Sequence, residues 1–193
     1  NVRETCELCH KYGVPVVVDS ARFIENCYFI KTREKGYENK TLREIAKEMY
    51  SYADAMTMSA KKDALVNMGG FIATNKKEWY EGAKLFCIPF EGFLTYGGMN
   101  GRDMDALAVG LKENIEFDMV ETRIKQVHYL AAKLDEYGIP YQRPAGGHAI
   151  FVDADKVLTN IPKEEFPAQT LTCELYLEAG IRACEIGYVL ADR

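Results

Sequence analysis

The sequence lacks the features that mark membrane proteins and nucleic-acid-binding proteins. It has no apolar run near the roughly 20 residues needed to cross a bilayer, and its first residues show no signal-peptide pattern. Basic residues do not exceed acidic ones, since 24 Lys and Arg stand against 29 Asp and Glu. Such a chain does not neutralise a phosphate backbone. We therefore predict a cytoplasmic protein with no membrane and no nucleic acid among its partners.

Cysteine is too sparse for a disulfide scaffold, because only six occur in 193 residues and they lie in apolar or helical segments. We expect reduced, mostly buried thiols. Two of them fall in CELCH, Cys6 to His10, which matches the C-x-x-C-H pattern of covalent haem attachment. A zinc site would need further Cys or His ligands in a matching cluster, and none is visible. We interpret CELCH as part of a helix with a structural role.

The remaining composition is that of an ordinary globular protein, with 48% hydrophobic and 27% charged residues and no internal repeats. Apolar positions at helical spacing over residues 2–12 are followed by Gly13 and by the apolar run VPVVVDSAR. A strand that is apolar on both faces is typical of a parallel sheet covered by helices, where ligands bind beyond the carboxyl ends of strands. Asp19 and Arg22 follow such a strand.

Two more helices are predicted over residues 21–35 and 42–52, the second with a capping box formed by Thr41 and Glu44. The segments ADAMTMSA and GGFIATN read as short strands. Between them we expect a loop, and this loop contains two adjacent lysines.

The second half of the chain predicts a different arrangement. A helix over residues 76–86 and a Gly-, Pro- and aromatic-rich loop precede a long helical stretch from about 102 to 137. Short strands at 139–142 and in GGHAIFVDA, a helix in KEEFPAQTLTCELYLEAG and a third strand in IRACEI then indicate a separate α+β lobe. We place the domain boundary near residue 115, which divides the chain into 1–115 and 116–193.

The adjacent lysines have a plain interpretation as solvated side chains. Their context favours another. Pyridoxal phosphate (PLP) requires a lysine that forms a Schiff base, an acid opposite the pyridine nitrogen, and donors for the phosphate. Asp19 is the candidate acid, Arg22 adds a positive charge, Ser59 offers a hydroxyl, and Lys61 or Lys62 supplies the amine. The ordered pattern D-x-x-R followed by S-x-K-K is much more specific than any one of these residues.

Over essentially its whole length the chain resembles tryptophanase and tyrosine phenol-lyase, the PLP-dependent beta-eliminating lyases. The resemblance is carried by VVVDSARFIENCYFIK, SYADAMTMSAKKDALVNMGGF, EGFLTYGGMNGRDMDALAVGL, RIKQVHYLAAKL and FPAQTLTCELYLEAGIRACEIG. It implies a PLP fold type I, like that of aspartate aminotransferase, with a mainly parallel sheet. Residues 1–115 would then be the C-terminal portion of the PLP-binding large domain, and 116–193 part of the small α+β domain.

The resemblance also implies roles for the residues of the two patterns. Lys62 matches the lysine that holds PLP as a Schiff base, and Lys61 lies beside the cofactor. Ser59 matches a phosphate ligand, Asp19 the partner of the pyridine nitrogen, and Arg22 a neighbouring cofactor residue.

Three further positions match the family outside these patterns. Asn67 matches the residue whose backbone carbonyl helps bind an activating monovalent cation, usually potassium. Tyr96, in TYGG, matches a tyrosine of the active-site region. Ile186, in GIRACEIG, stands where tyrosine phenol-lyase has an arginine that addresses the phenol and tryptophanase has isoleucine.

The substrate implied is an aromatic amino acid. Ile186 and SAKKD with Ala60 favour tryptophan, which would be cleaved to indole, pyruvate and ammonia. GYENK, LVNMGGF and GRDM are closer to tyrosine phenol-lyase, so the cleavage of tyrosine to phenol, pyruvate and ammonia stays open. Ile186 has an alternative interpretation as a packing residue.

The family's chain is considerably longer, and several of its cofactor and substrate ligands precede Asn1 or follow Arg193. We therefore expect this chain to be part of a larger homotetrameric enzyme and to be inactive or nearly so alone, because placing the reacting atoms supplies much of the rate. Two alternatives remain: an aminotransferase of the same general fold, and a catalytically inert binding or oligomerisation module with Lys62 unmodified. His148, in GGHAIF, we interpret as structural.

Overall fold

A three-stranded sheet is the centre of the first half of the computed structural model, which describes residues 1–186. Strand β1 (Val17–Asp19) pairs in parallel with β2 (Ala55–Ser59), and β2 pairs antiparallel with β3 (Gly70–Thr74). Polar residues follow the carboxyl ends of β1 and β2, which meet at the same edge because the two strands are parallel.

Helices make up most of the remaining structure. The mixed α/β class predicted from the sequence is confirmed. The helices are α1 (Val2–Lys11), α2 (Phe23–Arg33), α3 (Leu42–Ser51), α4 (Ala60–Asp63), α5 (Lys77–Phe90), α6 (Gly101–Asn114), α7 (Phe117–Glu136), α8 (Ala154–Val157) and α9 (Pro167–Ala179), with a 3₁₀ turn at Lys163–Glu165.

Helices α2 and α3 supply much of the core of the first half. Leu42, Ile45 and Met49 recur at helical spacing on α3 and are buried, as are Ile24 and Cys27 on α2. The predicted capping box starts α3: the Glu44 backbone N–H donates to the Thr41 hydroxyl (3.2 Å), and the Thr41 N–H donates to the Glu44 carboxylate (2.8 Å).

Asp54, just before β2, ties three segments together. Its carboxylate accepts from the Val16 backbone N–H (2.7 Å), contacts His10 Nε2 (2.8 Å), and pairs with the Lys76 ammonium (3.0 Å). The His10 of CELCH therefore has a structural partner, and Cys6 of the same motif is buried. These hydrogen bonds, the one from Val16 first, lower the pKa of Asp54.

Contacts divide the chain into two units, Asn1–Thr122 and a second that begins at Arg123. The helical stretch predicted over 102–137 is two helices, because the helix is interrupted at Ile115 and Glu116. The Asn114 side chain at the end of α6 bonds to the Asp63 carbonyl. Assignment of the units to a large and a small domain, with a boundary near 115, stays a prediction.

The second unit contains less strand than the sequence predicts. Within the described residues, 139–142 and GGHAIFVDA meet only in the antiparallel bridge between Tyr141 and Val152, and 181–186 is not a strand. Pro140 and Pro144 flank the bridge and have no N–H to extend the pairing. No helix in residues 1–186 is long and apolar enough to cross a membrane.

Two helical glycines provide a matched test of the packing next to the lysine pair. A Cβ at Gly110 of α6 would lie 1.7 Å from the Ala64 carbonyl oxygen, whereas a Cβ at Gly82 of α5 meets nothing within 4 Å. We predict that Gly110→Ala lowers the free energy of unfolding by about 3 kcal/mol through overpacking. Gly82→Ala should leave it unchanged or raise it by up to about 1 kcal/mol through helix propensity. Urea unfolding measures both, and equal effects would contradict the close approach.

The lowered pKa of Asp54 predicts how stability depends on pH. Its folded pKa lies below the unfolded value, so its contribution to stability is present above about pH 4 and is lost as the pH falls through the folded pKa. Asp54→Asn should therefore destabilise the protein at pH 7, and the difference from wild type should narrow steadily below about pH 4. Thermal unfolding between neutral and acidic pH measures this; a difference that is constant with pH would exclude the carboxylate charge as its cause.

Candidate active site

The parallel pairing of β1 and β2 brings the two predicted cofactor segments to one edge of the sheet. Asp19, the last residue of β1, is in register with Thr57, and the next backbone N–H, that of Ser20, donates to the Thr57 carbonyl (2.8 Å). The Asp19 side chain is exposed and accepts from the Ala21 N–H (3.0 Å), which closes a turn directly after the strand. Asp19 thus lies two register positions from Ser59, where β2 ends.

The lysine pair lies in α4, the short helix that follows β2. The predicted loop is wrong here, because the Ala64 N–H donates to the Ala60 carbonyl (2.9 Å) and closes one helical turn. The Ala60 N–H donates to the Gly69 carbonyl (3.0 Å), next to the pairing of β2 with β3. Lys61 and Lys62 are both exposed. Ser59, at the N-cap position, is half-buried, and its hydroxyl makes no capping bond to the helix.

Arg22 reaches from the Asp19 segment to the lysine turn. Its guanidinium donates to the Lys62 backbone carbonyl (3.4 Å). The same nitrogen lies 3.9 Å from Asp63 Oδ1 and 4.0 Å from Glu25 Oε1. Both carboxylates are buried, and burying a charge is costly unless an opposite charge lies close by. The cluster therefore holds the guanidinium beside Lys62.

Asp63 and Asn114 are parts of this arrangement that no pattern in the sequence marks. Asp63 is fully buried, its carboxylate accepts from the Ile24 backbone N–H (3.0 Å), and its own carbonyl accepts from the Asn114 side chain (3.0 Å). The structure shows why a distant cap is used: α2 begins with Arg22 at the N-cap, an arginine side chain does not cap a helix, and another group must therefore bond the first N–H groups.

Burial, and secondly the nearby Asp63 carboxylate, raise the pKa of the Cys27 thiol to about 12. This thiol therefore stays protonated at neutral pH. Cys27 packs in the core behind the site and is not a candidate nucleophile.

Two glycines bring a further loop to the turn after α4. Gly70 pairs with Ser59, and a Cβ there would lie 2.4 Å from the Met58 carbonyl oxygen. A Cβ at Gly69, which has a φ of +97°, would lie 2.6 Å from the methyl carbon of Met99. Absence of a side chain at Gly70 lets β3 approach the β2 backbone, and absence of one at Gly69 leaves room for Met99 of the loop between α5 and α6.

The remaining predicted site residues are exposed. Tyr96 lies in that α5–α6 loop, packs against Phe93 with 6.0 Å between ring centroids, and its carbonyl accepts from the Met99 N–H (2.8 Å). Asn67 lies in the bend between α4 and β3. Ile186 belongs to the second unit and is 64% exposed; its motif continues at Gly187, outside the described residues. The roles predicted for these three residues stay predictions.

The donor set at this edge fits PLP. An exposed lysine amine can bind an aldehyde, a hydroxyl that no helix cap uses can bind a phosphate oxygen, and an exposed carboxylate can pair with a protonated ring nitrogen. Lys62, Ser59 and Asp19 supply these three groups.

Comparison with known proteins identifies the family. The profile of the beta-eliminating lyases matches residues 1–193, so the chain belongs to that family. It is 74% identical to a probable beta-eliminating lyase of Trichomonas vaginalis, and 49% identical both to a tyrosine phenol-lyase of Pasteurella multocida and to a tryptophanase of Salinibacter ruber. Each alignment covers 100% of this chain and 41 to 42% of the relative.

The resemblance to beta-eliminating lyases read from the motifs is thereby confirmed. Overall identity does not separate the two named activities, because the phenol-lyase and the tryptophanase are equally similar to the chain.

Proposed function

We propose that this chain contributes the lysine-bearing part of a PLP-dependent beta-eliminating lyase whose substrate is an aromatic amino acid. The observation that carries the proposal is the parallel register of β1 and β2, which sets Asp19 and the Ser59–Lys62 segment at one edge of the sheet. The family is PLP-dependent, and the donor set at this edge suits that cofactor. The whole activity would require the longer protein, since the chain spans about 42% of its relatives.

PLP, when bound, would supply an electron sink for negative charge at the substrate Cα. The residues of this chain would hold it and handle protons. The Lys62 amine would bind the cofactor covalently and, once released by the substrate amine, would remove the Cα proton. The Asp19 carboxylate would keep a proton at the ring nitrogen. Ser59 would bind the phosphate, with Lys61 and Arg22 adding positive charge nearby.

Three finer points belong to the same proposal. Asn67 would contribute its backbone carbonyl to a potassium site, and Tyr96 would border the active site. The complete protein would be a homotetramer.

We propose tryptophan as the substrate, because Ile186 offers an apolar surface to an indole and no charge to a phenolic oxygen. One water would be consumed, and the products would be indole, pyruvate and ammonia. Tyrosine is the second candidate, and it is favoured by the several phenol-lyases among the relatives.

A hybrid protein allows these proposals to be tested with a complete pocket. In this hybrid, the 193 residues replace the aligned segment of the Trichomonas vaginalis relative, to which they are 74% identical. The rest of the hybrid is the relative's own sequence. The high identity makes the junctions compatible.

One test of the proposed function concerns the two lysines. Borohydride reduction of the hybrid with PLP should leave a covalent phosphopyridoxyl group on Lys62, located by peptide mass spectrometry. Lys62→Arg should abolish this label, because a guanidinium stays protonated and does not attack an aldehyde. Lys61→Arg is the matched control and should keep the label on Lys62. A label on Lys61, or none in the unmodified hybrid, would contradict the assignment.

Another test of the proposed function concerns Ile186. The hybrid should show a higher kcat/KM for tryptophan than for tyrosine, measured as pyruvate release. Ile186→Arg should lower kcat/KM for tryptophan by about tenfold or more, equivalent to about 1.4 kcal/mol, because a charged guanidinium would replace the apolar surface proposed to face the indole. Ile186→Leu, which keeps the apolar surface, is the control. Preference for tyrosine in the unmodified hybrid would favour the second candidate.

A further inference from the structure

The short helix that carries the lysines does not hold its own position. It has only four residues, and the hydroxyl of Ser59 at its N-cap makes no capping bond. A single helical turn is unfavourable by itself, because fixing the backbone of its residues outweighs one hydrogen bond. Contacts with other segments must therefore fix where Lys62 lies.

Asp63, directly after Lys62, makes such contacts through its side chain. Its carboxylate accepts from the Ile24 backbone N–H (3.0 Å), at the second position of α2. Helix α2 has no cap from its own N-cap residue, so Asp63 supplies one from a distant part of the chain. The start of α2 follows the Asp19 turn closely, and this bond therefore ties the Asp19 segment to the lysine turn.

Charge adds a second tie between the same segments. The Arg22 guanidinium lies 3.9 Å from the Asp63 carboxylate and donates to the Lys62 carbonyl (3.4 Å). Asp63 is fully buried, and the Arg22 guanidinium supplies an opposite charge close to its carboxylate.

From the other side, α6 fixes the main chain after the lysines. The Asn114 side chain donates to the Asp63 carbonyl (3.0 Å), and Gly110 lets α6 approach the Ala64 carbonyl. Asp63 is thus the residue at which the start of α2, the Arg22 charge and the end of α6 meet.

We propose that Asp63 is a positioning residue that sets the Lys62 turn against the Asp19 segment through Arg22 and Ile24. The proposal rests on the proposed function, in which Lys62 and Asp19 act on opposite ends of one cofactor. Asp63 itself does not touch the reacting atoms.

Asp63→Asn in the hybrid tests whether Asp63 positions the Lys62 turn or only caps α2. Asparagine keeps an oxygen for the Ile24 N–H and caps helices about as well as aspartate, but it removes the charge opposite Arg22. We expect kcat for pyruvate release and the rate of PLP attachment to Lys62 each to fall by about tenfold or more, because small displacements of reacting groups are costly. KM should change by less than about threefold. Asp105→Asn, an exposed carboxylate on α6, is the matched control.

If the Asp63→Asn hybrid folds and keeps the unmodified hybrid's kcat and rate of PLP attachment to Lys62, Asp63 only caps α2 and the proposal is overturned. If circular dichroism shows that Asp63→Asn does not fold, Asn114→Ala tests the proposal instead. It removes the hydrogen bond to the Asp63 carbonyl and so loosens the main chain of the same residue. A fall in kcat of about threefold or more supports positioning, and an unchanged kcat overturns it.

One readout does not depend on PLP chemistry. In the cofactor-free hybrid, competitive acetylation compares Lys62 with Lys61, and we expect Asp63→Asn to change their ratio by about threefold or more. If the unmodified hybrid binds no PLP and the ratio still changes, the proposed function fails and the positioning role stands. If the unmodified hybrid is active and the ratio and kcat are unchanged, only the positioning role fails.

Discussion

The parallel pairing of β1 with β2 is the interaction on which the site depends. Asp19 and Ser59 lie 40 positions apart in the sequence, and the backbone hydrogen bonds of two adjacent strands place their carboxyl ends at one edge. A shift of one residue in this register would reverse the faces of the side chains on one strand relative to the other. Asp54 opposes such a shift. It directly precedes β2, and its carboxylate accepts a hydrogen bond from the N–H of Val16, which directly precedes β1.

Buried charge is the second element that organises the first unit. Glu25 and Asp63 lie in the interior, where a carboxylate without a partner would be strongly destabilising. Both are within 4.0 Å of Arg22. The arrangement explains why a four-residue helix can present two lysines in a defined place: the residue that follows them is anchored, while their own side chains remain exposed.

Local patterns were sufficient to predict the elements that depend on nearby residues. The Thr41–Glu44 capping box is confirmed bond for bond, since both partners lie within one turn of helix. The lysine turn, predicted as a loop, is one turn of helix closed by the hydrogen bond from the Ala64 N–H to the Ala60 carbonyl, and four residues are too few to leave a periodic signal in the sequence. The Asp63–Ile24 and Asn114–Asp63 bonds join residues 39 and 51 positions apart, which no spacing rule reveals. The candidate cofactor residues were recognisable because their types and order are specific to one family.

In the proposed function, Asp19 and Lys62 serve one reaction. The most direct test is the exchange of the tryptophan Cα proton with deuterated solvent, followed by NMR in the hybrid protein and in its Asp19→Asn variant. We expect rapid exchange in the hybrid and a rate lower by about a hundredfold or more in the variant, because an amide cannot keep a proton at the ring nitrogen as a carboxylate does. An undiminished exchange rate in Asp19→Asn would contradict this, because it would show that the reaction in which Lys62 takes part does not need the Asp19 carboxylate.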